Sequence, residues 1–61
     1  DVRYATLLMQ RIEQTRQHGM AEAKMVADEA FEWIESVPFL VADQDTVRDK
    51  MIGYIMKLSQ E

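Results

Sequence analysis

The sequence predicts an all-α fold, a small three-helix bundle with helices near residues 2–18, 20–37 and 44–59 in a single domain, 1–61. Three observations predict it. Apolar residues recur at three- and four-residue steps in three separate runs. Gly19 and Pro38 punctuate the chain between those runs. Asp43 stands just ahead of the third run, where a capping side chain belongs.

In the first run Ala5, Leu8, Met9 and Ile12 fall on one face, flanked by Tyr4 and Thr15. Arg3, Gln10, Arg11, Gln14 and His18 take the opposite face, with Leu7 stranded among them. Gln, Arg, Leu and Met favour helix, so propensity agrees with pattern. Asp1 is the expected N-cap, its carboxylate near the unpaired amides of the first turn. Gly19 is the expected residue just past the helix end, because a left-handed backbone costs glycine nothing. The short connection His18-Gly19-Met20 favours an antiparallel hairpin. The alternative is a continuous helix kinked at Gly19, whose first half swings out onto another copy.

The second run is the most regular and the expected centre of the bundle. Met20, Ala23, Val26, Ala27, Ala30, Phe31, Trp33, Ile34 and Val37 make a broad apolar stripe. Glu22, Lys24, Asp28, Glu29, Glu32, Glu35 and Ser36 lie opposite, interrupted only by Met25 and the small Ala21. Pro38 ends the run by disfavouring helical geometry at Val37 and lacking an amide proton. Phe39-Leu40-Val41 then reads as an apolar plug folded over one end of the bundle, with a docking loop as the alternative.

Asp43 as N-cap places Thr46 at the third helical position and makes Ala42 and Val47 a hydrophobic staple. Asp45 and Lys57 suit the two ends of the helix dipole. Val47, Met51, Tyr54, Ile55 and Leu58 form the expected buried stripe. Gly53 costs a mid-helix position up to about 1 kcal/mol, which suggests close approach by a neighbouring backbone.

Composition narrows the chemistry. A chain of 61 residues buries only about 60% of its unfolded surface, so its stability is expected to be marginal. Small domains compensate with disulfides, metals or self-association. Cysteine is absent and His18 is the lone histidine, so disulfides, thiolate sites and paired-histidine zinc sites are excluded. Self-association is the remedy left. A net charge of −4, from seven basic and eleven acidic residues, argues against nucleic acid as main partner. No apolar run approaches the length needed to span a bilayer, and no signal-peptide pattern is present. The expected location is cytoplasmic. A first residue Asp1 instead of Met suggests a processed chain or a piece of a longer one.

Three short helices seldom enclose convergent polar groups, and no serine or cysteine nucleophile stands in a recognisable setting. The expectation is a non-enzymatic protein-interaction module: a small regulator, adaptor or assembly domain. No cofactor, metal or small-molecule substrate is expected, and a homodimer is. The apolar residues that the core does not claim carry this reading. Ile52 and Met56 sit one turn apart beside Gly53, with Arg48 nearby, and Leu7 and Met25 are stranded on the other helices. Five methionines add to it, since flexible thioethers suit adaptable contacts. Trp33, at the edge of its stripe, is expected in the core, with an interface anchor as the alternative.

The alternative function is an acidic inhibitor that docks on a basic surface through Glu22, Asp28, Glu29, Glu32 and Glu35, as a mimic of nucleic-acid phosphates. Calcium binding is disfavoured, because these carboxylates lie on a helix and not in a ligand loop. Helix-turn-helix DNA binding ranks third. Arg48, Lys50 and Lys57 suit it, but Asp43, Asp45 and Asp49 crowd the end that would approach the bases.

Overall fold

The computed structural model describes residues 2–59. It is a three-helix bundle, with α1 Val2–His18, α2 Ala21–Ser36 and α3 Gln44–Ser59. Every pair of helices is in contact, and the body measures 34 × 17 × 14 Å. Short connections run the helices up, down and up. The last turn of α3 therefore returns to the end of α1, where Leu58 and Ser59 line one cleft with Arg11, Gln14, Thr15 and His18. No helix among the described residues is long and apolar enough to cross a membrane. The expected cap at Asp1 lies outside the described residues.

The α1–α2 connection is a hairpin, not a kinked continuous helix, and Gly19 makes it possible in an unexpected way. Its φ is not positive, so the left-handed cap read from the sequence is corrected. The Gly19 amide still donates to the Thr15 carbonyl at 2.7 Å, continuing the helical ladder. A Cβ at residue 19 would lie 2.6 Å from that oxygen and 2.7 Å from Thr15 Cγ2. Glycine is needed for close approach. Met20 follows with φ −74 and ψ 166, an extended N-cap without a side-chain cap. Because it is not yet helical, the helical pattern does not place it on the stripe, and it is 72% exposed.

The core joins Leu8 and Ile12 of α1, Ala27 and Ala30 of α2, and Val47, Met51, Tyr54 and Leu58 of α3. Only alanines represent α2 at the centre, with Ala23 buried as well. Its larger residues, Val26, Phe31, Trp33 and Ile34, are only half-buried and pack against this centre. The reason is steric: a row of methyl groups lets three helices close in, and bulkier side chains must fan outwards into the grooves. Phe31 fans towards α1, under the Arg16 guanidinium at 4.5 Å. Trp33 fans towards α3, its ring 5.8 Å from that of Tyr54. Met9, expected in the core, is exposed on the α2-facing flank of α1.

The α2–α3 loop corrects the plug. Phe39 does fold inward, edge-on to Trp33 at 6.4 Å and 67°. Leu40 is fully exposed and Val41 nearly so. The Pro38 carbonyl accepts from both Val41 and Ala42, at 3.0 and 2.9 Å, which closes a tight turn with Leu40 at its apex. Gln44 Nε2 fastens the turn by donating to the Phe39 carbonyl at 2.8 Å.

Asp43 caps α3 as expected. One carboxylate oxygen accepts from the Asp45 amide at 3.1 Å, the other from the Thr46 hydroxyl at 3.0 Å. Ala42 and Val47 line one small cleft with Trp33 and Val37, consistent with the staple. The expectation at Gly53 is corrected: nothing lies within 4 Å of a Cβ built there, so no neighbouring backbone within this chain explains it.

Candidate interaction surface

Helical rows decide which of the leftover apolar residues meet. Leu7 belongs to the row Leu7, Arg11, Gln14, His18 on the α3-facing flank of α1. Ile52 belongs to the row that ends one turn on at Met56 and two turns on at Ser59. Gln14, His18 and Ser59 line the same cleft, and α1 and α3 run parallel. The same rows, followed back two turns, bring Leu7 and Ile52 to one level of the α1–α3 groove. Ile52 is half-covered, although it is not among the residues packed against the core cluster. Met56, one turn later, is 59% exposed. Arg48 stays at the surface and pairs with Asp45 at 3.2 Å, a bridge within the first turns of α3.

Met25 lies elsewhere. It stands opposite the buried alanine row of α2, is 72% exposed, and has Glu22, Asp28 and Glu29 around it at helical-neighbour spacing, with Glu32 two turns on. It is the apolar centre of the carboxylate row and not part of the Leu7–Ile52–Met56 group. Within the row, Asp28 accepts from Arg16, with Nε at 3.0 Å and Nη2 at 2.9 Å, so this carboxylate ties α2 to α1. Glu29 stands beside Tyr54. Burial pushes the Tyr54 phenol above its ordinary value of 10.0, and the charge and hydrogen-bonding carboxylate of Glu29 push it the same way. Glu22, Glu32 and Glu35 are exposed.

Two features went unread in the sequence. One is the shallow groove between α1 and α2, lined by Ala5, Met9, Ile12 and Phe31 and rimmed by Glu13 and Arg16. It arises because alanines, not Phe31, hold the centre of α2. The other is the seating of Lys50 and Lys57 over aromatic rings, their ammonium groups 5.7 Å from the Trp33 ring and 5.8 Å from the Tyr54 ring. Their seven-residue spacing on the Tyr54 side of α3 was a usable signal.

His18 is exposed at the rim of the cleft it shares with Arg11 and Thr15. No group of three or more His, Asp or Glu among the described residues could hold a metal ion. The only buried polar residue among those described is Thr15, and no buried side-chain nitrogen or oxygen there lacks a partner. Compared with protein-family models, curated proteins and solved structures, the chain matches none.

Proposed function

We propose that this chain is a non-enzymatic protein-interaction domain whose outward α3 face, with Ile52 and Met56 at its centre, binds a partner and first of all a second copy. The observation that supports the reading is the half-covered Ile52, outside the core cluster, with exposed Met56 one turn on. Burying such a stripe contributes about 25 cal/mol per Å² of apolar area, and Arg48 at its edge tunes partner choice. The test is the molar mass of wild type and Ile52→Asp over a wide concentration range, with the fold of each checked by circular dichroism. The expected result is a salt-resistant dimer in the wild type and a folded monomer in the variant. An unchanged assembly state, together with unchanged binding of any captured partner, sinks it.

A second reading is an acidic inhibitor acting through α2. It is supported by Glu22, Glu32 and Glu35, which are exposed and form no ion pair among the described residues. Binding to a basic protein that weakens steeply with salt, and on Glu29→Lys plus Glu32→Lys, is its expected signature. Salt-insensitive binding counts against it.

A further inference from the structure

The outer faces of α2 and α3 adjoin along one side of the bundle and carry opposite charge. On α2 the row is Glu22, Met25, Glu29 and Glu32, all exposed. On α3 it is Lys50, Gly53, Met56 and Lys57. Glu29 lines one shallow cleft with Lys50, Gly53, Tyr54 and Lys57, which fixes the two rows side by side. Neither lysine forms an ion pair among the described residues; each ammonium lies over an aromatic ring instead. Between them Gly53 leaves the helix surface bare, with open space where a side chain would stand.

From this juxtaposition we infer that a second copy of the chain docks here about a two-fold axis running along the α2–α3 groove. The inference rests on the self-association proposed above, shares Met56 with that face, and turns the seam towards α2 and away from the Ile52–Leu7 side of α3. A face with an anionic half beside a cationic half is complementary to itself under one arrangement only. An axis along the groove lays each copy's α2 over the other's α3, so unlike charges meet. An axis across the groove lays α2 on α2, and like charges meet.

Heights along the bundle agree. Rotation about an axis parallel to the helices leaves each residue at its own level. Glu29 is level with Gly53 and Lys57 through their common cleft, and Trp33 with Lys50 through their ring contact. Glu29 of the second copy therefore arrives between Gly53 and Lys57, its Glu32 near Lys50, and its Met25 near Met56. The missing side chain at Gly53 lets the incoming helix close in. A side of the bundle 34 Å long and 14 to 17 Å wide can bury roughly 1,000 Å² between two copies, the lower bound for a specific interface. Exposed charge pairs add little affinity one by one, so their part is to select this arrangement over others.

The test is a charge swap read by sedimentation equilibrium. One chain carries Lys50→Glu and Lys57→Glu, the other Glu29→Lys and Glu32→Lys. Each alone should dimerise at least about 10-fold more weakly than wild type, and an equal mixture should recover a dimer within about 3-fold of the wild-type Kd. All four positions are exposed or at the rim, and Gly53→Leu supplies a variant that does not depend on charge. It should fold, since the space is open, and should not dimerise. A wild type that stays monomeric overturns both this inference and the self-association above. A wild-type dimer unaffected by either charge reversal and by Gly53→Leu, but lost in Ile52→Asp, overturns this geometry alone. Weakened variants that fail to rescue one another also overturn it.

Discussion

A Cβ on residue 19 would stand 2.6 Å from the carbonyl oxygen of Thr15. That oxygen is backbone, and it already accepts the Gly19 amide at 2.7 Å, so it cannot move aside without opening the end of α1. Gly19→Ala should therefore destabilise the chain by about 1–3 kcal/mol, as overpacking does. Urea unfolding measures it. A change near zero would mean that the hairpin relaxes without cost.

Gly53 should behave in the opposite way. Nothing surrounds its missing Cβ, and it sits inside α3 with helical geometry. Gly53→Ala should stabilise the monomer by about 0.5–1 kcal/mol, seen as a rise of a few degrees in Tm at a concentration where the chain does not associate. A loss of stability would show that a neighbour crowds this site in solution.

The Asp43 carboxylate holds both the Asp45 amide and the Thr46 hydroxyl. Asp43→Ala should cost about 1 kcal/mol and Asp43→Asn much less, because the amide oxygen still accepts. Equal losses in the two variants would shift the credit from hydrogen bonding to the dipole charge.

Tyr54 sets an alkaline limit. Its phenol is raised in the folded chain by burial and then by Glu29, so the folded state holds this proton where the unfolded chain releases it. Stability is thus fully present below the unfolded value, about 10, and falls as pH climbs from there towards the raised folded value. Tyr54→Phe should flatten that fall. Denaturant melts at a series of alkaline pH values test it, and identical slopes in both proteins would reject the assignment.

The candidate surface was legible only in part. Periodicity alone showed that Ile52, Met56, Leu7 and Met25 lie off the stripes of their own helices. It carried no information on how the helices face one another. Parallel packing of α1 and α3 turns the Leu7 row and the Ile52 row towards one groove, whereas Met25 points away from the alanine row among carboxylates. The opposed charges of α2 and α3 were visible as separate rows, but their adjacency depends on the Glu29–Lys57 cleft.

What the sequence by itself determined is local: three helices, their ends at Gly19, Pro38 and Asp43, and the face each turns inward. These follow from backbone geometry and hydrogen bonds between residues a few positions apart, which the chain carries wherever it goes. The tertiary structure alone decided how deep each apolar residue sits. It chose Ala23, Ala27 and Ala30 for the centre of α2 and sent Phe31 and Trp33 to the flanks. It folded Phe39 inward and left Leu40 out, and it gave Gly19 and Gly53 opposite surroundings. Depth depends on the distance between helices, and that distance is set by side chains on two helices at once.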